Sequence, residues 1–208
     1  RAYLKRIDAC TPLKASIQTQ TIVELPRQVH KKGDHLGSFD AKPLLTTALE
    51  GEDMGLVSEA GMPAVADPGS SVVRAAHELG IQVIPLIGPV SLLLALASSG
   101  LNGQNFAFVG YLPQEPQDRA RRIKELEQYA LKSGQTQLFI ETPYRNAALW
   151  WSLVQTLQPG SRLAFSSGLT LTSAVNQSST TQQWRKLPLG QMPEGLNNQT
   201  PVVFAIGV

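Results

Sequence analysis

Two consecutive strand–turn–helix patterns in the first half of the chain constrain the fold more than any other feature. Each begins with a short apolar segment typical of a buried strand, continues through a turn rich in glycine and proline, and ends in a helical pattern. In order, the segments are residues 54–58, 70–79, 81–87 and 91–99. Gly80 and Gly100 stand where a helix C-terminus favours glycine. Two βα units in succession predict a parallel sheet in an α/β fold.

The helix predicted over residues 70–79 has one apolar face and a clear start. Asp67 is expected to cap its N-terminus, and Pro68 is expected to occupy its first position, where the missing N–H needs no partner. The apolar face consists of Val72, Ala75, Ala76 and Leu79. We therefore expect this helix to pack along one side only.

The remaining elements are predicted from weaker patterns. Strands are predicted over residues 20–25, 106–110, 136–140, 162–166 and 202–208, helices over 1–7, 118–132 and 144–157, and irregular structure over 173–198. The helix over 144–157 is apolar around much of its circumference, because it carries Trp150, Trp151, Leu153 and Val154. This composition suits a buried helix or a dimer contact, and base stacking is a less favoured alternative.

The chain has 208 residues, which fits either one large domain or two small ones. A proline-containing stretch over residues 111–116 marks the junction. We predict an N-terminal α/β domain over residues 1–105, with its first strand and loop expected to be missing, and a C-terminal α/β domain over residues 106–208.

The composition narrows the possible partners and compartments. Only 16% of the residues are charged, against about 25% in typical soluble domains, so some surface is expected to be buried in a partner. The net charge of +2 is too small to predict nucleic-acid binding by itself. The single cysteine, Cys10, excludes an intramolecular disulfide framework and a Cys-cluster zinc site, which is consistent with a reducing compartment.

No membrane span, secretion signal or metal site is expected from the sequence. The longest apolar stretch, residues 81–97, is interrupted by polar residues, glycine and proline. The chain starts at Arg1 without a signal-peptide pattern, and we expect the natural N-terminus to lie upstream. His30 and His35 have no third ligand at metal spacing and are interpreted as solvated loop residues.

The loops that follow the predicted strands are the candidate binding segments, because open α/β sheets bind ligands beside the carboxyl ends of their strands. The loop over residues 58–69 contains glycines that allow close backbone approach, but a purely structural βα loop explains it equally well. The turn over residues 88–91 offers Ser91 to a helix N-terminus or to a ligand. Neither loop matches the glycine patterns of dinucleotide or triphosphate sites, which disfavours hydride and phosphoryl transfer.

A third loop joins the strand over residues 136–140 to the next helix. Thr142 and Pro143 suit the start of that helix and need no functional explanation. Glu141 and Arg145 form either a ligand site or a surface ion pair. The basic residues of the helix over 118–132 are interpreted as a solvated face or as phosphate contacts, and they are Arg119, Arg121, Arg122 and Lys124.

Seven short motifs, taken in order, carry a family resemblance. They are LVSEAGMP (56–63), DPG (67–69), VRAA (73–76), PLIGP (85–89), ASSGL (97–101), FVGYLP (108–113) and FIETPYR (139–145). Together they resemble the tetrapyrrole-methylase superfamily, and within it the ribosomal RNA small-subunit methyltransferase I branch. The resemblance implies a class III methyltransferase-like fold of two α/β domains, with S-adenosyl-L-methionine bound in the cleft between them, in a cytoplasmic homodimer.

The resemblance also implies which residues bind the cofactor. By position, the cofactor-binding residues are Ser58, Glu59, Ala60, Gly61, Ala64, Gly88, Ser91, Leu92, Ile140, Glu141, Thr142, Leu169 and Thr170. Glu59 and Glu141 are the candidates for a base that accepts the proton of the acceptor hydroxyl. Arg145 is the candidate for orienting an anionic substrate through two hydrogen bonds. No metal is expected, since methyl transfer from a sulfonium is a displacement governed by geometry.

The activity implied is 2′-O-methylation of a ribose in small-subunit ribosomal RNA. Two alternatives stay open: methylation of a tetrapyrrole carbon, and a non-catalytic dimeric module that binds RNA or the ribosome. The chain departs from the family pattern in two places. The first strand and its Gly/Pro loop are expected to be missing before Arg1, and Tyr144 stands where the RNA-modifying branch usually has histidine.

Overall fold

A computed structural model gives the fold and describes residues 1–26, 29, 39–58 and 61–208. The chain divides into two compact units, Arg1–Pro89 and Val90–Val208. Residues 90–105 are therefore part of the second unit, whereas the sequence-based division placed them in the first domain. The boundary predicted from the sequence, between a domain over residues 1–105 and one over residues 106–208, stays a prediction.

The first unit contains helices and extended segments. Helix α1 spans Ala2–Cys10, so the helix predicted over residues 1–7 is confirmed and is longer than expected. A 3₁₀ turn at Ile17–Thr19 follows. A second 3₁₀ turn at Lys42–Leu45 continues directly into the single helical turn α2, Thr46–Leu49. Helix α3 spans Ser70–Glu78.

Helix α3 has the one-sided burial that its sequence predicts. Ala75 and Ala76 are buried against Ala41 and Leu45, and Val72 and Leu79 pack at the edge of the same cluster. The predicted cap is wrong, because Gly69 is the N-cap residue. The Asp67 carboxylate instead accepts a hydrogen bond from Ser58 Oγ at 2.6 Å, which ties the two ends of a loop together.

The strands predicted over residues 20–25, 54–58 and 81–87 are absent from the structure, and with them the predicted parallel sheet of the first unit. All three segments are irregular, and the described residues of this unit contain no strand. The physical reason is that a strand needs a neighbouring strand for its N–H and C=O groups, and the described residues of the unit form no such strand pair. Many of their apolar side chains are exposed, Leu86 to 81%.

The second unit is built on a five-stranded sheet. Its elements in chain order are α4 (Ser91–Ser99), β1 (Phe106–Tyr111), α5 (Pro116–Ser133), β2 (Thr136–Glu141), a 3₁₀ turn (Pro143–Arg145), α6 (Asn146–Thr156), β3 (Arg162–Ser167), β4 (Val175–Thr180), α7 (Thr181–Trp184) and β5 (Val202–Gly207). The strand order is β1-β2-β5-β3-β4. The β1–β2 pair is parallel, and the other three pairs are antiparallel.

The two faces of this sheet bury different clusters, because successive side chains of a strand point to opposite faces. Along β5, Phe204 and Ile206 pack into the larger cluster, which is completed by side chains from α5 and α6. Val203 and Ala205 pack into a smaller cluster with α4. Trp150 is fully buried in the larger cluster, which fits the buried helix predicted as one alternative for α6.

The polar segment over residues 173–198 contains a strand and a helical turn that its pattern did not predict. Strand β4 pairs with β3 over its full length and lies at the edge of the sheet. One side of an edge strand faces solvent, so the strand can be polar. This explains why the sequence VNQSST lacks the apolar pattern typical of a strand. Thr180 then caps α7 through a reciprocal capping box with Gln183.

Candidate functional site

One end of the sheet gathers the predicted site residues of the second unit. Glu141 at the end of β2 pairs with Val202 of β5, and Val202 pairs with Ser167 at the end of β3. The carboxyl ends of β2 and β3 therefore lie at the same end of the sheet. Ile140 and Leu169 both pack against the smaller core cluster near this end. The structure thus brings the second-unit candidates together at one place.

Glu141 and Arg145 form a buried ion pair in the turn that leaves β2. Glu141 Oε1 accepts hydrogen bonds from Arg145 Nε at 2.9 Å, Arg145 Nη2 at 2.5 Å and the Thr142 backbone N–H at 2.7 Å. The Glu141 side chain is fully buried, and that of Arg145 is only 17% exposed. The pair is therefore not the surface ion pair that the sequence left open.

Three buried polar atoms of this turn have no hydrogen-bond partner in the part of the chain that the structure describes. They are Glu141 Oε2, Arg145 Nη1 and Asn146 Oδ1. A buried polar atom without a partner costs about 1–3 kcal/mol, so native proteins keep few of them. Two acceptors and one donor within six residues are the groups that a polar ligand would satisfy.

Asn146 holds the segment before β5 against the same turn. Its Nδ2 donates to the Asn197 carbonyl at 2.8 Å and to the Thr200 carbonyl at 3.0 Å. Asn197 Oδ1 in turn accepts from the Gln199 and Thr200 N–H groups. Sequence reasoning missed Asn146, although the polar NNQT run before a strand is typical of an Asx turn that needs anchoring.

The turn after β3 carries backbone strain at a predicted cofactor residue. Thr170 has a φ of 72°, which is unusual for a β-branched residue, and Gly168 has a φ of 61°. The Gly168 N–H donates to the Pro201 carbonyl at 3.2 Å, which links this turn to the segment before β5. Such strain concentrates at binding sites and is held in place by the surrounding structure.

The first unit presents its candidates on a tightly folded loop. Ala64 has a φ of 64°, and its N–H donates to the Pro68 carbonyl at 3.2 Å. Gly69 has a φ of 137°, and an added Cβ would come within 3.0 Å of Leu56 Cδ2, so glycine is required there. Gly61 lies in the same loop, beside the Ser58–Asp67 hydrogen bond. Glu59 and Ala60 lie outside the described residues.

The remaining predicted cofactor residues lie around the start of α4. Gly88 is in an irregular segment of the first unit, with open space where a side chain would be. Ser91 is the first residue of α4 and is exposed, so its hydroxyl and the helix N-terminus are accessible. Leu92, in contrast, is buried in the smaller core cluster of the second unit. Leu92 therefore packs in the core beneath the first turn of α4.

The basic residues of α5 are largely paired. Arg119 is buried and donates from Nε to Ser152 Oγ at 2.9 Å and from Nη1 to the Gln114 carbonyl at 3.2 Å. Arg121 and Arg122 form exposed ion pairs within the helix. The structure therefore favours the solvated face for these two residues, and a structural role for Arg119.

Neither a metal-ligand cluster nor a membrane-spanning helix is found among the described residues. Among residues 1–26, 29, 39–58 and 61–208, no group of three or more His, Cys, Asp or Glu is placed to hold a metal ion. His30 and His35 lie outside those residues. No helix within the same ranges is both long and apolar enough to cross a membrane.

Comparison with curated proteins confirms the resemblance noted from the sequence. The chain is 40% identical over 107 residues to "Ribosomal RNA small subunit methyltransferase I" of Xylella fastidiosa, covering 51% of this chain and 38% of that protein. It is 34% identical over 142 residues to the protein of the same name from Pseudomonas aeruginosa, covering 68% of this chain and 46% of that protein. The chain thus spans less than half the length of these relatives. No family model matches it.

Comparison with solved structures confirms the α/β fold class. The crystal structure of the methyltransferase CobJ matches with a TM-score of 0.50 at 19% identity, covering 80% of this chain and 69% of that one. At this identity the likeness concerns the fold alone. The cofactor cleft between two domains stays a prediction.

Proposed function

We propose that the protein containing this chain is an S-adenosyl-L-methionine-dependent methyltransferase that methylates a ribose 2′-hydroxyl of small-subunit ribosomal RNA. The observation that carries the proposal is the 40% identity over 107 residues to a relative named for that RNA. Because the chain spans only 38% of that relative, the activity of the whole protein is inferred from the shared part.

The end of the sheet in the second unit has groups that fit a polar cofactor. Glu141 Oε2 is a carboxylate oxygen that has no donor among the described residues, so it suits a hydroxyl or amino group of the cofactor. The strained Thr170 turn and the Ile140 and Leu169 side chains near the smaller cluster lie at the same end. S-adenosyl-L-methionine would supply a methyl group bonded to a positively charged sulfur.

The chain's own contribution to the reaction would be to position the acceptor and receive its proton. Glu141 uses Oε1 for Arg145 and Thr142, which leaves Oε2 for a ligand proton or hydrogen bond. Arg145 donates from Nε and Nη2 to Glu141, and its buried Nη1 has no partner in the described part of the chain. We therefore propose one hydrogen bond from Arg145 to the substrate in place of a bidentate clamp. Glu59 remains the second candidate base.

Two further properties are proposed on the family resemblance alone. We propose that the protein acts as a homodimer and that it works in the cytoplasm, where its RNA substrate is made. Sedimentation of the full-length protein at micromolar concentration tests the first point. A monomer at every concentration would contradict it.

Titration calorimetry of the full-length protein with S-adenosyl-L-methionine and S-adenosylhomocysteine tests the proposal. A Ser91→Trp variant is expected to lose binding, because Ser91 opens α4 at a candidate loop. Ala97→Trp is the matched control, since Ala97 is also exposed on α4 but lies near its other end. Its binding is expected to be unchanged.

Transfer of a labelled methyl group then distinguishes the acceptors. Small-subunit ribosomal RNA and a tetrapyrrole are offered in parallel, and transfer to the RNA is expected. Transfer to the tetrapyrrole alone would replace the proposal by carbon methylation. Absence of binding to either cofactor form would favour the non-catalytic module.

A further inference from the structure

Tyr144 is an exposed aromatic ring held next to the buried ion pair. It lies in the 3₁₀ turn Pro143–Arg145 and is 70% exposed. The guanidinium carbon of Arg145 lies 5.7 Å from the centre of its ring. That guanidinium is fixed by two hydrogen bonds to Glu141, so the group that touches the ring has little freedom. The ring is therefore presented to solvent in a supported position.

A second exposed tyrosine lies at the same end of the sheet. Tyr111 is the last residue of β1, pairs with Ile140 of β2 and is 58% exposed. The core of the unit buries Phe139, Trp150, Phe165 and Phe204 fully, whereas Phe106 and Tyr129 are also exposed, at 40% and 54%. Because the aromatic core is well packed, the exposure of Tyr111 and Tyr144 does not reflect poor packing of the unit.

The two exposed arginines at the start of helix α5 are already engaged in ion pairs, whereas Lys124 on the same helix is exposed. Helix α5 begins shortly after β1, and its first turns hold Arg121 paired with Asp118 and Arg122 paired with Glu125. Charges that are already paired release few counterions from RNA. A nucleic acid would therefore be recognised here through its bases, and aromatic rings stack on bases of any sequence.

We propose that Tyr144 is the platform on which an unpaired base of the RNA acceptor stacks. The inference rests on the proposed function and adds to it the residue that positions the acceptor nucleotide. Stacking needs a free base face, so the target is a single-stranded or looped segment. The RNA is favoured over a tetrapyrrole, whose flat ring also stacks, because the relatives at 34–40% identity are named for ribosomal RNA.

RNA affinity of the full-length protein tests the proposal, with S-adenosylhomocysteine affinity measured on the same samples. Tyr144→Ala is expected to weaken binding of a single-stranded small-subunit RNA segment about 5- to 150-fold, the range that loss of one stacked base gives. Tyr144→Phe keeps the ring and is expected to stay within about twofold of the parent. Neither variant is expected to change S-adenosylhomocysteine binding.

Tyr129→Ala is the matched control, because Tyr129 is 54% exposed on α5 and belongs to no candidate loop. Its RNA affinity is expected to equal that of the parent. Annealing the RNA to its complement is expected to abolish the difference between Tyr144→Ala and the parent. The slope of RNA affinity against salt is expected to be the same in both, since no phosphate contact is removed.

The outcomes separate this inference from the proposed function. If the parent binds S-adenosylhomocysteine and RNA but Tyr144→Ala matches Tyr129→Ala, the stacking role is wrong and the proposed function stands. Equal losses for Tyr144→Phe and Tyr144→Ala would assign the effect to the hydroxyl and overturn stacking. If Tyr144→Ala lost tetrapyrrole binding but kept RNA binding, that result would also overturn stacking on RNA. If the parent binds neither cofactor nor RNA, both proposals fail.

Discussion

The two units use similar apolar segments with opposite results. Strand β5 is an apolar run with all six residues buried, and hydrogen bonds join it to β2 on one side and β3 on the other. The segment over residues 81–87 is also rich in apolar residues, but it forms no strand and is largely exposed in the structure. The difference shows that an apolar, β-branched sequence is not sufficient for a strand.

Hydrogen-bond partners explain this difference. A buried backbone N–H or C=O group must be paired, so an extended segment is buried only where a neighbouring segment can pair with it. In the second unit β2 and β3 provide those neighbours for β5. Among the described residues of the first unit none is available, and the core there is a small helical cluster around Ala75 and Ala76.

Amide hydrogen exchange gives the largest expected contrast between the units. Amides of β2 and β5 are expected to exchange at least about a thousandfold more slowly than those of residues 81–87, because central strands open only with the whole unit. Mass spectrometry of peptides from both regions measures this ratio. Comparable protection in the two regions would mean that residues 81–87 have strand partners in solution.

Replacement of Trp150 tests how strongly the second unit depends on its core. Its ring meets those of Phe165 and Trp184 at centroid distances of 5.9 and 5.2 Å, and the side chain is fully buried. Trp150→Ala is expected to lower the free energy of unfolding by about 3–5 kcal/mol, through lost contacts and the cavity left behind. Urea unfolding followed by circular dichroism measures it.

The neighbouring tryptophan provides the control for that experiment. Trp151 is only partly buried at the edge of the same cluster. Trp151→Ala is therefore expected to destabilise the unit clearly less than Trp150→Ala. Equal effects of the two substitutions would contradict the burial pattern of α6.

The smallest expected effect concerns an exposed ion pair of the first unit. Lys42 Nζ lies 2.8 Å from Glu78 Oε2, and the hydrogen bond and charge of Glu78 raise the pKa of Lys42 above its ordinary 10.5. A raised pKa means that the pair stabilises the fold fully below about pH 10.5 and loses this effect as the pH rises through the raised value. The contribution is small because both side chains are about half exposed.

The melting temperature of Lys42→Met, compared with the parent, tests this pH dependence. The small deficit of the variant is expected to be constant near neutral pH and to shrink at strongly alkaline pH. Lys132→Met, which changes another exposed lysine, controls for the loss of one charge. A deficit that grows with pH would contradict the role of Glu78.

Much of the second unit was predictable from its sequence, because its patterns agree with its contacts. The strands at Phe106–Tyr111, Thr136–Glu141 and Arg162–Ser167 each lie within one residue of the predicted bounds. Helix α4 ends before Gly100, which has the predicted left-handed conformation. Strand β4 was missed because edge strands carry a weak apolar signal.

The candidate site was only partly predictable. Sequence position identified Glu141 and Arg145 but could not decide between a surface pair and a buried one, since burial depends on the segment before β5. Asn146 gave no signal, because an asparagine at a helix start is usually explained by capping. Asp67 was assigned to a cap for the same reason, and its partner is Ser58.

The position of β5 also bears on when the second unit is able to form during protein synthesis. The ribosome makes β5 after the other four strands, yet β5 lies between β2 and β3 in the finished sheet. Until β5 leaves the ribosome, β1 with β2 and β3 with β4 are two separate two-stranded pairs, which are marginally stable in water. The sheet therefore forms in one late step, and the nascent chain exposes apolar strand edges until that step occurs.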